Sequence, residues 1–327
     1  MCSLGRFRLR TEGIALDILI SEWIDPRGID ILGQAGRVHY EPDLWRDSPR
    51  LLAWAERIDA LIVRNQTRVT AELLQMGHLR VVGRLGVGLD NIDVAAAKAH
   101  HIPVVVAMGA NGVAVAEYVL TCCLLHSRQL AAVDADTRAG HWNRRLGGME
   151  LYGKTLGIMG LGDIGQRLAY RARTLGMRVV AYDPVRLPTH WAVMDLDVTR
   201  VALEEILAQS DFLSLHIPLT SETRHFLNAL RLQQMKPSAY LINTARGGIV
   251  DEDALLQAIR SGLLAGAALD VRDVEPPSPS DPLRDEPRIL LTPHIAGLTQ
   301  EAQKRTAELV AMDVVRVLTG QPTLAAI

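Results

Sequence analysis

Residues 155–183 read TLGIMGLGDIGQRLAYRARTLGMRVVAYD, and this stretch decides the fold. Leu156, Ile158 and Met159 make a short apolar run that stops at Gly160. Gly160, Gly162 and Gly165 then spell G-x-G-x-x-G, followed by a helical pattern carrying Leu168, Ala172 and Leu175 toward a core. Gly176 ends that helix, Val179 and Val180 form a second buried strand, and Asp183 stands at its end. Each part has a task in a βαβ unit that binds a dinucleotide. Gly160 permits the tight turn, Gly162 admits a pyrophosphate to the backbone, and Gly165 lets the helix lie close on the strand. The N–H groups and positive dipole end of that helix receive phosphates. Asp183 lies 18 positions after Gly165, where an acid accepts hydrogen bonds from the adenosine ribose. A 2′-phosphate beside that carboxylate is repelled, which favours NAD over NADP, although Arg186 nearby pulls the other way.

Outward from this unit, the 327 residues suggest two domains, at roughly 100–200 residues each. Hydrophobic residues at 48% against 22% charged are those of a chain with large cores. A formal net charge of −2 argues against nucleic acid and anionic membrane surfaces as partners. No apolar run approaches the ~20 residues of a spanning helix. The N-terminal MCSLGRFRLRTEG is basic without the apolar core of a signal peptide, so residues 1–14 are expected to be a loose tail. Of the three cysteines, Cys122 and Cys123 are adjacent on one helix and Cys2 lies in the tail. They read as thiols in a reducing cytoplasm. No Cys/His cluster has metal-ligand spacing, so no metal is expected.

The first hundred residues alternate short apolar runs at 18–20, 37–40, 60–63, 81–82 and 104–106 with helical patterns at 26–32, 49–55, 70–75 and 94–99. That rhythm predicts a parallel sheet with helices on both faces, a second and smaller α/β domain. Ligands of such sheets gather outside the carboxyl ends of the strands. Two ends are suggestive: 60–63 runs into Arg64–Asn65–Gln66, and 81–82 into GRLGVGLDNID. Gly86 and Gly88 can offer backbone N–H groups to an anion, and Arg64 and Arg84 can add charge. Residues 111–128, NGVAVAEYVLTCCLLHSR, predict one long apolar helix whose Glu117 caps or packs. AGHWNRRLGGME at 139–150 predicts a polar arm with Trp142 exposed, suited to touching a second subunit.

After Asp183 the alternation continues, with strands predicted at 211–215, 239–242, 265–269 and 289–291 and helices at 203–209, 228–233 and 251–260. Three strand ends carry reactive side chains: Arg246 in NTARGG, Asp270 with Glu275 in the loop beyond, and His294 in TPHIAG. Singly, each reads as a turn ion pair, a loop carboxylate or a cap. Together at one sheet edge they form a catalytic set.

With these residues in view, the chain resembles the D-isomer-specific 2-hydroxyacid dehydrogenase family over residues 17–327. The matching stretches are GRLGVGLDNID, GKTLGIMGLGDIG, LINTARGGIVDEDAL, GAALDV, VEP and LTPHIAG. LIVRNQTRVT and VGRLGVGLDNID bring it nearest to the phosphoglycerate dehydrogenase branch. The chain ends without an added regulatory domain, so serine feedback is not expected. The resemblance implies two doubly wound parallel-sheet domains. A Rossmann NAD-binding domain, 108–297, is inserted into a flavodoxin-like substrate domain made of 15–107 and 298–327. It also implies a hinge at the paired crossing helices, an active site in the cleft, and a homodimer.

By the same resemblance His294 exchanges the hydroxyl proton, a task that suits the histidine side chain. Glu275 holds its other ring nitrogen and favours imidazolium, and Arg246 binds the carboxylate and the reacting oxygen. Asp270 accepts from the carboxamide of the nicotinamide. Cofactor contacts extend to Asp163, Ile164, Ile217, Pro218, Thr223, Thr244, Ala245 and Gly297. Asn65, Gly86, Val87 and Gly88 hold the substrate, with Arg64 and Arg84 for a distal anion. Two positions depart from the pattern. Asp163 stands where a basic or neutral polar residue is usual beside the pyrophosphate, and capping the helix N-terminus is the alternative use for it. Leu298 replaces the serine usual in phosphoglycerate dehydrogenases. The substrate is expected to be a small 2-hydroxy acid with a second anion, 3-phosphoglycerate or sulfolactate first. A glyoxylate or hydroxypyruvate reductase is the runner-up, and an NAD-sensing corepressor that binds peptides is the reading from another class.

Overall fold

The computed structural model of the chain describes residues 16–185 and 190–327; the tail with Cys2, and Arg186, lie outside them. The described residues form two compact units: those up to Ala110 together with Gln303–Ile327, and Asn111–Ala302. Both divisions fall a few residues beyond the boundaries read from the sequence.

The first unit holds a five-stranded parallel sheet of β1 (Leu16–Ile20), β2 (Gly36–Tyr40), β3 (Ala60–Val63), β4 (Val81–Arg84) and β5 (Val104–Val106), in the order β2-β1-β3-β4-β5. That is the flavodoxin-like order. Strands covered on both faces read as unbroken apolar runs, and every residue of β3 and β5 is buried. One apolar layer gathers Leu19, Leu61, Val63 and Val82, and the opposite layer gathers Ile18, Ile20, Ile62 and Val81. Helix Gln300–Leu318 completes the second layer with Val310 and Val314. Gly83 shows how close it lies: a Cβ there would stand 2.8 Å from both Ile62 and Val310. The C-terminal residues then pair with β5, Val106 N–H donating to Ala325 and Ile327 N–H to Val104.

The second unit holds seven parallel strands: β6 (Thr155–Met159), β7 (Arg178–Tyr182), β8 (Thr199–Arg200), β9 (Phe212–Leu215), β10 (Tyr240–Asn243), β11 (Gly266–Leu269) and β12 (Ile289–Leu291). Their order is β12-β11-β10-β9-β6-β7-β8, the doubly wound dinucleotide-binding order with β12 added at one edge. Its two faces are again covered by separate apolar layers. Several helices start one residue later than the periodicity predicts, because Thr70, Asn228 and Asp251 are N-caps whose side chains accept from backbone N–H groups. Helix Leu130–Arg138 escaped the periodicity because it buries no residue. Glu117 corrects its expectation: it is exposed, 3.9 Å from Arg171, and neither caps nor packs in a core.

Candidate active site

Strand register brings the reactive residues of the second unit to one edge. Met159 pairs in register with Tyr182 and Leu215, Leu215 with Asn243, Asn243 with Leu269, and Leu269 with Leu291. The residues that follow this row are Gly160, Asp183, His216, Thr244, Asp270 and Thr292. They stand side by side at the carboxyl edge of the sheet.

The glycine turn comes first. Gly160 has φ +93°, and a Cβ on it would lie 2.6 Å from the carbonyl of His216, where the chain leaves β9. Only glycine serves there. The Leu161 N–H between the first two glycines donates to Asp183 Oδ2 at 2.7 Å, and Val185 N–H donates to Oδ1 at 2.9 Å. Asp183 therefore ties the end of β7 to the turn. Gly165 puts its Cα against the Gly160 carbonyl, so helix Asp163–Thr174 sits tight on the turn. Gly162 is its N-cap, with no side-chain cap and open space where a Cβ would be. This is a cradle for an anion at a helix N-terminus. Asp163 corrects its expectation: it does not cap the helix but turns along it to Arg167 Nε at 2.9 Å. The Arg167 charge balances it beside this cradle.

The neighbouring strand ends add further polar groups. Ile217 is half-buried with its Cγ2 against Gly160, and Thr223 Oγ1 donates to the Pro218 carbonyl at 2.6 Å. Thr244 Oγ1 is buried with no hydrogen-bond partner among the described residues, so a ligand at this edge would supply its missing contact. Asn243, fully buried, accepts from Ala245 N–H and donates to the Arg246 carbonyl at 2.8 Å. It thereby shapes the turn that presents Arg246. Strand-end asparagine is a turn signal in the sequence, and this role was missed there.

Asp270, 1% exposed, is the hub of the next strand end. Its Oδ1 accepts from Thr292 Oγ1 at 2.6 Å and Ile295 N–H at 2.8 Å, its Oδ2 from Ala296 N–H at 2.8 Å, and its carbonyl from His294 N–H at 2.8 Å. Tyr118 Oη meets Thr292 Oγ1 at 2.5 Å behind it. These bonds hold His294 at φ +57°, a left-handed conformation that costs a non-glycine residue about 1–3 kcal/mol. Beyond it, Gly297 leaves room for the Asn111 amide, 2.7 Å from where its Cβ would stand.

His294 Nδ1 lies 2.9 Å from Glu275 Oε2. The other oxygen of Glu275 accepts from Arg272 N–H at 2.9 Å. Burial alone raises the carboxyl pKa of Glu275, but the His294 and Arg272 hydrogen bonds, with the charges of His294 and Arg246, outweigh it and hold Glu275 below the usual range. Arg246 thus acts on the same carboxylate, and the three residues form one electrostatic set. With Nδ1 taken by Glu275, Nε2 of His294 is the nitrogen that can exchange a proton with a ligand.

In the first unit, Arg64 and Arg84 fold onto their own surroundings. Arg64 Nη1 donates to Gln303 Oε1 at 3.0 Å and its guanidinium lies 5.5 Å from the Trp23 ring centroid. Its loop is fastened by the buried Glu22, which accepts from the N–H groups of Arg64, Gln66 and Thr67. Asn91 donates to the carbonyls of Arg64 and Thr67 from the other side, and Asn65 lies between these ties. Glu22 also went unread in the sequence, where a lone carboxylate after a strand carries no signal. The Arg84 guanidinium covers Gly86, whose missing side chain makes room for it. Gly86 N–H donates to the Arg84 carbonyl at 2.8 Å. This corrects the expectation that Gly86 offers its own amide to an anion; Val87 and Gly88 remain for that task.

A family model described as "D-isomer specific 2-hydroxyacid dehydrogenase, NAD binding domain" matches residues 120–296. The (S)-sulfolactate dehydrogenase of Chromohalobacter salexigens is 44% identical over 304 residues, covering 92% of this chain and 98% of that one. The D-3-phosphoglycerate dehydrogenase of Archaeoglobus fulgidus is 38% identical over 309 residues, 94% of this chain and 58% of that one. The chain therefore spans little more than half of the latter. The crystal structure of TT0316 protein from Thermus thermophilus superposes with a TM-score of 0.87 at 36% identity, covering 95% of this chain and all of that one. This chain belongs to the D-isomer-specific 2-hydroxyacid dehydrogenase family.

It is thus a member of a family of NAD-dependent oxidoreductases, and its second unit contains the family's NAD-binding domain. The glycine turn, the uncapped helix N-terminus, Asp183 at the end of β7 and the unsatisfied Thr244 hydroxyl fit NAD. Among the described residues no group of three His, Cys, Asp or Glu side chains could hold a metal ion. No helix among them is long and apolar enough to cross a membrane.

Proposed function

We propose that this chain interconverts a small 2-hydroxy acid and its 2-keto acid, with the His294–Glu275 contact of 2.9 Å carrying the reading. NAD, when bound in the glycine cradle, supplies the hydride acceptor at its nicotinamide. His294 Nε2 takes the hydroxyl proton as the C2 hydrogen departs with its electron pair, and returns it in the reverse direction. Glu275, kept ionised, holds Nδ1 and stabilises the imidazolium. Arg246 binds the substrate carboxylate and polarises the reacting oxygen. Asp270 fixes the His294 loop and is the residue assigned to the carboxamide, and Asp183 selects NAD over NADP.

For the substrate we propose an acid with a second anionic group, 3-phosphoglycerate or sulfolactate. Arg64 and Arg84 recognise the distal anion, with Asn65, Val87 and Gly88 supplying hydrogen bonds. Two of the relatives are named for those acids, and the first unit carries both arginines at adjacent strand ends. We further propose a cytoplasmic homodimer. Cys122 and Cys123 are free and buried, and the second unit exposes Leu130, Trp142, Tyr152 and Tyr170, apolar surface that a second copy would cover. Sedimentation at two concentrations checks this.

The reaction is tested by NADH absorbance with purified protein, NAD and a panel of 3-phosphoglycerate, sulfolactate, glycerate, lactate and malate, with the keto acids run in reverse. Turnover confined to phosphorylated or sulfonated acids, with competition by inorganic phosphate, is expected. Turnover only with glyoxylate or hydroxypyruvate retains the acid–base pair and removes the distal-anion assignment. No turnover on any acid contradicts the reading as a whole.

A further inference from the structure

The loop that brings Glu275 to His294 leaves β11 through Val271 and Arg272 and has no secondary structure before the turn Pro282–Asp285. Loops of this kind move unless tied down. Arg272 supplies the tie. Its side chain is 8% exposed, and its Nε and Nη2 take the two oxygens of Glu252 at 3.0 and 2.9 Å. Its Nη1 takes Asp281 Oδ2 at 2.6 Å. A two-pronged Arg–carboxylate pair fixes orientation as well as distance. Glu252 is the first residue of the amphipathic helix Glu252–Arg260, capped by Asp251 and seated in the core through Leu255 and Ile259, so the anchor is rigid.

The backbone of Arg272 touches Glu275 and the turn that follows Arg246. Its N–H donates to Glu275 Oε1 at 2.9 Å, leaving Oε2 for His294. Its carbonyl and the following N–H pack directly on Gly247, the residue after Arg246, where no Cβ would fit. Asp273 N–H adds a 3.0 Å bond to Glu252 Oε1. We infer that Arg272 is a positioning residue of this site: its guanidinium clamps the Glu275 loop to helix Glu252–Arg260 and sets Glu275 against His294 in register with the Arg246 turn. The inference deepens the proposed acid–base function and rests on it.

The charged groups around this point are His294 and Arg246 facing Glu275, Glu252 and Asp281 facing Arg272, and the Arg224–Asp273 pair alongside. The test measures kcat, KM and the pH profile of hydroxy-acid oxidation for wild type, Arg272→Met and Arg272→Lys, each also combined with Glu275→Gln. If Arg272 acts through Glu275, Arg272→Met lowers kcat by about tenfold or more, as misplacement of a catalytic group does, and leaves KM for the acid within about twofold. The pH limb belonging to His294 moves to lower pH, because the imidazolium loses its carboxylate. Lysine keeps the charge without the fork and recovers only part of kcat. In the Glu275→Gln background the same Arg272 change alters kcat by less than about twofold, since coupled residues are non-additive. An equal fold-loss in both backgrounds, or a loss with an unmoved pH limb, overturns the inference. Should Arg272→Met fail to fold, Glu252→Gln weakens the fork from the helix side and must show the same pH shift in smaller degree; an unmoved pH limb there also overturns it. The two layers separate cleanly: Glu275→Gln with unchanged kcat sinks the acid–base reading itself, whereas additive losses sink only the role of Arg272.

Discussion

At the carboxyl edge of the second unit, the groups with chemistry are aimed at one another and held from beneath. Asn243 shapes the Arg246 turn, Asp270 locks the His294 loop, and Arg272 ties down Glu275. At the corresponding edge of the first unit the same kind of backbone fastening exists, with Glu22 and Asn91 gripping the loop after β3. There, however, the arginines themselves rest on their own unit, Arg64 on Trp23 and Gln303, Arg84 over Gly86. One edge has its polar groups assembled on one another; the other holds charged side chains on local partners. On the proposed function the difference implies a division of labour: substitutions at the first kind of edge are expected to act on kcat, and those at the second on KM.

The largest expected effect is on His294. His294→Gln should lower kcat by roughly 10²–10⁴-fold, the usual worth of general acid–base catalysis, while NADH binding followed by fluorescence titration stays intact. Loss of binding in step with turnover would place His294 in the cofactor cradle and break the comparison. Arg64→Ala should raise KM for a phosphorylated or sulfonated acid by about 10–100-fold, since hydrogen bonds to charged groups contribute about 1.5–3 kcal/mol, with kcat within about twofold. A fall in kcat of the same size would mean that the first unit's arginine is assembled for chemistry after all.

Asp270→Asn turns a buried acceptor of three hydrogen bonds into a group with a donor facing donors. A loss of about 1–3 kcal/mol is expected, read as a fall of several degrees in Tm together with reduced kcat. Unchanged thermal stability would show that the His294 loop is held by something other than this carboxylate. The smallest effect concerns pH. Glu275 is held below the usual carboxylate range, so its support of His294 is present at neutral pH and is lost only as pH falls through that depressed pKa. Keto-acid reduction consumes the imidazolium proton and should fail as pH rises; hydroxy-acid oxidation needs neutral imidazole and should fail as pH falls. Glu275→Gln should move both limbs toward lower pH by about one unit, and an upward shift would contradict the role given to Glu275.

Much of this was legible in the sequence because it depends on local signals. The strands at 60–63, 104–106 and 289–291 and the helices at 26–32, 94–99 and 203–209 lie where the periodicity puts them, since a buried parallel strand cannot hide its apolar run. G-x-G-x-x-G and the terminal Asp183 likewise carry their own geometry. The resemblance to the family, also carried by motifs, named Arg246, Glu275 and His294. What stayed hidden depends on who stands next to whom. Asp163 reads as a cap until Arg167 is seen to take its carboxylate. Gly86 reads as an anion-binding amide until its N–H is seen on Arg84. Glu22, Tyr118 and Arg272 work through partners that no local pattern announces, and helix Leu130–Arg138, burying nothing, had no apolar stripe to betray it.

The central claim is direct hydride transfer between C2 of a hydroxy acid and NAD. It is tested by supplying the purified protein with NAD and a hydroxy acid deuterated at C2, then weighing the NADH formed. The account requires that the deuterium be found on the nicotinamide ring, with a slowed rate relative to the unlabelled acid. NADH free of deuterium, with the label in water, or no NADH from any hydroxy acid, would contradict it.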